Sequence, residues 1–364
     1  MTRRSVAAQG LALGVAAAAL WWLASNAATT LDQNGISLGF GFLRQPANFE
    51  IGDAPIAYSP ADSFVRAILV GLANTARVSV LGWVLATALG FLLGVLRLSR
   101  TPAVRGVARA VVELVRNVPL LLLLLFLAAT MHALPAARAA LEPLPNVFVS
   151  DRGLVVPSLG LSVFQWALGV AALSVLATGA LLPSVRRGRA WKLFVATSVV
   201  AFVVPLGIAP PDVDRPRLDG FNFVGGLTVS PELTALLAAL VLHHAAHISE
   251  VVRGAVLAVP SRQRDAAYAL GLSRAQTMRF VVIPQALRAM VPLLATNCVS
   301  LTKNSSLAVA IGFPDLVSIL NTTANQTGHA IETMLIMIVV YLTLSLVVAA
   351  AMNAYNRRLL RPGA

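Results

Sequence analysis

Three side chains at helical spacing, His243, His247 and Glu250, have the types and the i, i+4, i+7 placement of a metal-ligand stripe, with His244 beside them. A structural or catalytic zinc draws about four donors from more than one element. The sequence holds no second cluster of His, Cys, Asp or Glu to complete the set, and polar residues lining a helix interface account for the stripe more simply. No metal site is expected. A second group, Asn297, Ser300, Lys303, Asn304 and Ser305, closes a largely apolar run, and Lys303 is one of only two lysines in the chain. A cation so far along a membrane span either faces a water-filled passage, where it would meet a substrate carboxylate, or snorkels to the interface. Both readings stand. Glu113 with Arg116 and Glu250 with Arg253 are acid–base pairs at i,i+3, so each pair lies on one helical face. They serve either as gate elements or as local ion pairs that set helix depth, and the second is the simpler reading. Neither Lys192 nor Lys303 stands in a G-x-x-x-x-G-K-[ST] phosphate loop, and no G-x-S-x-G or zinc-protease motif is present. The chain is not expected to be an enzyme or to bind a cofactor.

These residues flank a polar island, Glu250 to Arg288, that has its own local design. Pro260 stops the preceding apolar run, Ser261 can cap a short helix, and Asp265 lies near that helix's positive end. Gly271 is a natural left-handed residue to end it. Ser273 and Gln276 form an S-x-x-Q capping box for a second helix, which must kink or end before Pro284. Helix, glycine turn, helix is a projecting element suited to a groove on another protein. Ala266 and Ala267 are small enough for close approach, and Leu270 could anchor in a pocket.

Hydrophobic residues make up 57% of the chain and charged ones 12%, and the mean hydropathy is +0.79, the composition of an integral membrane protein. The only cysteine, Cys298, lies in an apolar run, so no intrachain disulfide can form. A net charge of +13 reflects basic residues gathered in cytoplasmic loops and not a nucleic-acid partner. About eight stretches are long enough to span a bilayer, near 9–28, 66–96, 106–134, 160–182, 191–209, 232–254, 286–311 and 331–353. The first reads as a retained signal anchor. With the N-terminus inside, the inner loops carry clusters such as Arg97, Arg100, Arg105 and Arg109, then Arg186, Arg187 and Arg189. The outer segments carry Asp32, Glu50, Asp53, Asp62, Asp151, Asp212, Asp214 and Asp219. Both termini are therefore expected in the cytoplasm.

The island also resembles a known element. Asp265-Ala266-Ala267, Gly271 and Pro284 have the spacing of the "EAA" loop of permease subunits in bacterial ATP-driven (ABC-type) importers, with Asp in place of the usual Glu. GLANTARVSV, GVLRLSR and ELVRNVPLLLLLLF, between Gly71 and Pro135, are similar to the first core helices of polar amino-acid importer permeases of the histidine/glutamine type, with Asn117-Val118 where Gly-Thr is usual. LTKNSSLAVAIGFPDL is similar to a later element of the same permeases, with Ser305 for Thr and Asp315 for Glu. The added first helix, outer segment and 136–230 insert look most like the general L-amino-acid permeases.

The resemblance implies an all-α membrane protein with a MetI-like five-helix importer permease core. It divides the chain into 1–64 (first helix and outer segment), 65–135 (first two core helices), 136–230 (a two-helix insert) and 231–364 (last three core helices), with the coupling loop at about 254–285. It implies a permease subunit of a binding-protein-dependent amino-acid importer in the bacterial inner membrane. Expected partners are ATP-binding-cassette ATPases that hold ATP and Mg, a second permease subunit, a periplasmic amino-acid-binding protein and membrane lipid. Arg264, Asp265, Ala266, Ala267, Leu270, Gly271 and Pro284 would carry the ATPase coupling. The alternative is a stand-alone ion-coupled secondary transporter, which calls for buried acidic coupling residues and an inverted repeat; neither is evident.

Overall fold

The computed structural model describes residues 3–33, 39–160 and 212–359. Ten α-helices occur among them: α1 Arg3–Gln33, α2 Phe64–Arg97, α3 Pro102–Asn117, α4 Leu120–His132, α5 Pro231–Leu257, α6 Ser261–Ala269, α7 Arg274–Thr277, α8 Ile283–Asn304, α9 Leu316–Thr327 and α10 Ala330–Leu359. Proline punctuates them. Pro102 and Pro231 open α3 and α5 at the position where a missing N–H costs nothing, and α5 ends at Leu257, shortly before Pro260.

Among the described residues four helical segments are long and apolar enough to cross a membrane: Phe64–Arg97, Pro231–Leu257, Arg274–Ile311 and Ala330–Ala354. A fifth is added if α3 and α4, broken at Val118-Pro119, count together. Four or five, not the full count expected, therefore stand against the six of the eight expected spans that fall on described residues: the stretch near 9–28 falls short and the one near 106–134 is broken. The apolar part of α1, Gly10–Leu23, is shorter than a span, because polar Ser25, Asn26, Thr29 and Thr30 follow it closely. The expected spans at 160–182 and 191–209 lie outside the described residues.

The chain forms two compact units, one of residues 1–117 with 240–364 and the other of 118–239. The second contains β structure where the sequence predicts loops. Strands β1 Leu141–Leu144, β2 Val147–Ser150, β3 Gly153–Val156 and β8 Leu227–Val229 make one antiparallel sheet; β4 Ser158–Gly160 pairs with β5 Asp212–Asp214, and β6 Arg217–Asp219 with β7 Asn222–Val224. Each strand is three or four residues long, too short to show a clear alternation. Asn146 (φ 61°) makes the β1–β2 turn. Gly153 is required where β3 meets β8, since a Cβ there would lie 2.1 Å from the Val229 carbonyl oxygen. Phe148 stacks on Phe223 at 4.9 Å, and the Arg138 guanidinium sits 3.6 Å over the Phe221 ring.

In the first unit α2 packs against α3, α8 and α9, and α10 packs against α8 and α9. Gly90 and Gly94 let α2 approach α5 closely: a Cβ on Gly90 would lie 2.6 Å from Ile248, and one on Gly94 would lie 2.7 Å from Val252. This is small-residue packing between membrane helices. Gly10 and Gly14, at the same spacing in α1, meet nothing within 4 Å. The core beside this contact is formed by Ala86, Ile248, Val252, Val282 and Leu301.

Candidate functional site

The polar island folds as a capped helical hairpin. The N-cap position of α6 is Pro260, with no side-chain cap, so the expected Ser261 cap is not made; Ser261 is already helical. At the other end Gly271 takes φ 78°. The Leu272 N–H donates to the Ala267 carbonyl at 3.1 Å and the Gly271 N–H donates to the Tyr268 carbonyl at 2.9 Å, the two bonds of a Schellman motif. Ser273 then opens α7 with both bonds of a capping box: its Oγ accepts from the Gln276 N–H at 3.3 Å, and its N–H donates to Gln276 Oε1 at 2.8 Å.

The chain neither kinks nor stops before Pro284, as the proline alone suggested. A π-helical turn, Met278–Val282, carries α7 into α8, and the Ile283 N–H donates to the Met278 carbonyl five residues back. The wider turn accommodates a ring that would otherwise press on the preceding turn. Asp265, Ala266, Gly271 and Pro284 are exposed, Leu270 is 82% exposed, Arg264 is half-buried, and Ala267 turns inward at 3%. A leucine so exposed beside the half-exposed Tyr268 forms an apolar tip on a polar element.

Just before this hairpin lies a charge cluster. Glu250 of α5 binds three guanidinium groups: Arg97 at 2.6 Å, Arg116 at 3.6 Å, and Arg253, its i,i+3 neighbour. The Glu250–Arg253 pair was expected, whereas the Glu113–Arg116 pair is not made. Glu113 takes Arg109 at 2.7 Å instead, because the i,i+4 neighbour is within reach and Arg116 turns to Glu250. Arg97, which the sequence reading counted only as an inner-loop charge, is buried (7% side-chain exposure) and also reaches Ser249 Oγ at 3.5 Å. Its place at the last residue of an apolar run was the available signal.

Arg116, His247, Glu250 and Asn297 line a cavity of about 490 Å³ whose remaining wall is apolar and mostly small, with Gly254, Ala255, Ala258 and Ala289 beside Val251 and Leu293. His243 and His247 rings lie 4.8 Å apart, and His244 Nε2 is 3.2 Å from Asn304 Nδ2. Among the described residues no group of three or more His, Cys, Asp or Glu is placed to hold a metal ion. Ser300 and Lys303 line a different cavity, of about 430 Å³, against α10, together with Thr296 and Asn353. Lys303 also borders a third, of about 640 Å³, with Ser306, Tyr341 and Ser345. Ser305 is buried and donates to the Thr302 carbonyl at 2.8 Å. The five polar residues of this segment thus divide. Asn297 and Asn304 face α5, Ser300 and Lys303 face α10, and Ser305 is held within its own helix.

Helices long and apolar enough to cross a membrane, with cavities along α5 and α10 and a capped, exposed hairpin, define a multi-span membrane protein with a projecting helical element. Residues 86–361 match the family of binding-protein-dependent transport system inner membrane components, and the chain belongs to that family. It is 40% identical to the putative amino-acid ABC transporter permease protein YhdX of Escherichia coli (strain K12) over 351 residues, 93% of this chain and 89% of that protein. It is 37% identical to the general L-amino acid transport system permease protein AapQ of Rhizobium johnstonii over 370 residues, 98% of this chain and 92% of that one. Its fold is similar to that of a crystal structure of an amino acid ABC transporter with histidines, at a TM-score of 0.51 and 19% identity, covering 81% of this chain and 95% of the other.

Proposed function

We propose that this chain is the permease subunit of an ABC-type amino-acid importer in a bacterial inner membrane, driven by a separate ATPase. The observation that carries the reading is the 261–283 hairpin: two caps and a π-helical turn hold an exposed Leu270 tip at the start of a membrane span, in a member of a binding-protein-dependent transport family. Asp265, Ala266 and Leu270 would enter a groove on the ATPase, with Gly271 fixing the turn. Movement of the hairpin would rock the spans between two states of access. The basic inner loops favour both termini in the cytoplasm. The relatives YhdX, a putative amino-acid permease, and AapQ, a general L-amino acid permease, support amino acids as the substrate. Ser300 and Lys303 on one face of α8, and Asn297 on another beside Arg116 of α3, would supply polar lining for the passage. No observation favours an ion-coupled transporter acting alone.

The test is reconstitution. The purified chain alone should hydrolyse no ATP. Co-purification of the tagged chain should bring down an ATPase, and amino-acid uptake into liposomes should require ATP and a loaded binding protein. Uptake by the chain alone, driven by a proton or sodium gradient, would overturn the reading.

A further inference from the structure

The segment Gly39–Ser63 joins α1 to α2, and the proposed function gives it no task. It is an ordered loop closed on itself: Pro46 pairs with Ser63 across an antiparallel bridge, the Ala47 N–H donates to the Asp62 carbonyl at 2.8 Å, and the Tyr58 hydroxyl donates to the Phe49 carbonyl at 2.9 Å. It is fastened to the bundle at two separated points. At one, a single oxygen of Glu332, a residue 3% exposed, accepts the Gly39 N–H at 2.8 Å and lies 3.0 Å from His329 Nδ1. The His329 ring in turn stacks on Phe42 with centroids 4.6 Å apart and planes within 14°.

At the other point Asp53 pairs with Arg77 at 2.7 Å, and its carbonyl accepts from Asn74 Nδ2 at 2.6 Å. Asn74 also donates to the Pro314 carbonyl at 2.9 Å, and Thr75 Oγ1 accepts the Leu316 N–H at 3.1 Å. Between the two points Phe42, Ala47 and Phe64 form one buried cluster with Ala67 of α2 and Ile319 of α9. The segment therefore touches α2, the α9 entry and the α9–α10 turn at once.

We infer that Gly39–Ser63 is a bracket: it fixes the α2 start, α9 and the α10 start as one body that moves without internal rearrangement during transport. A lid would be held at one end and would expose its apolar side when it opened. Here both points are tied, by a buried carboxylate and by an ion pair, and Phe42 and Ala47 between them are buried, with Leu43, Phe49 and Ile51 packed against the same cluster. Access must then open at other faces of these helices. The contacts alone carry the inference; only placing the bracket on the outer side rests on the proposed orientation. Labelling of Glu50→Cys by a membrane-impermeant thiol reagent in whole cells tests that orientation separately.

The bracket itself is tested in the assembled importer on a Cys298→Ser background. Asp53→Cys with Arg77→Cys, joined by a short bis-methanethiosulfonate whose sulfinate groups leave as two reducible disulfides form, should transport within about twofold of the same protein after reduction, as a rigid body allows. Any larger loss on cross-linking overturns the proposal. In a second arm, His329→Ala with Glu332→Ala should raise amide exchange at 39–47 and also at 64–75 and 313–330, by about tenfold. A rise confined to 39–47, or none at all, overturns it. If that variant fails to assemble, the cross-link decides.

Discussion

Arg97 and Glu250 stand 153 residues apart in sequence and 2.6 Å apart in space. The guanidinium closes α2 and the carboxylate lies two turns before the end of α5, so the pair joins a long span to the helix that leads into the hairpin. Glu250 also holds Arg116 of α3. One carboxylate therefore ties α5 to two other helices.

Glu250→Ala leaves Arg97 buried without its counter-charge, and the loss should be on the order of 3 kcal/mol. The double change Arg97→Met with Glu250→Met should be more stable than Glu250→Ala, since it removes both charges together. Arg116→Ala, at 3.6 Å and 38% exposure, should cost about 1 kcal/mol or less. Thermal unfolding of the purified variants in detergent checks the order; equal losses for Glu250→Ala and Arg116→Ala would contradict it.

Gly271 meets nothing within 4 Å of a built Cβ, yet its φ is 78°, so substitution acts by backbone strain and not by collision. The left-handed region costs most residues about 1–2 kcal/mol, Asn least and β-branched residues most. Recovery of the ATPase with the tagged chain should fall in the order Gly, Asn, Ala, Val, while membrane insertion stays unchanged. Normal recovery with Gly271→Val would remove the role of the turn.

Gly90 is a matter of space. A Cβ there would lie 2.6 Å from Ile248 and 2.9 Å from the Ala245 carbonyl oxygen, which is backbone and cannot step aside. Gly90→Ala should destabilise by about 1–3 kcal/mol through overpacking. Gly106→Ala in α3, where nothing lies within 4 Å, should be neutral or slightly stabilising. A comparison of the two melting temperatures checks this, and the same shift in both would show that the close approach is not needed.

Lys303 borders two cavities along α10. If it meets the carboxylate common to all amino acids, Lys303→Met should lower uptake of acidic, neutral and basic substrates alike, by about tenfold for one lost charge-assisted hydrogen bond, with ATPase assembly intact. Unchanged uptake in all three classes, normalised to assembled complex, would assign the lysine to snorkelling.

The parts of the site that were legible in the sequence are those with local causes. Gly271, and Ser273 with Gln276, act on backbone within six residues, so spacing alone revealed the turn and the box. The four long spans followed from apolar run length. Glu250 shows the limit. Its i,i+3 neighbour Arg253 could be read directly, but Arg97 and Arg116 reach it across helices, and no periodicity records which helices meet. The matching error at Glu113 has the same origin, since Arg116 had a nearer partner in sequence and another in space. The strands around Asn146 and Gly153 are too short to outweigh a loop-like composition.

The π-helical turn at 278–282 has a consequence for how the hairpin is aimed. Each residue advances an α-helix by about 100°, and a π turn holds one residue more than the α-helical turn it replaces. The faces of α7 and α8 are therefore out of phase by roughly that angle. The direction in which Leu270 points is set by a single surplus residue in the helix that carries Lys303. Deleting one residue from 278–282 would bring the two segments back into step and swing the tip to a different bearing, with every side chain of the hairpin unaltered.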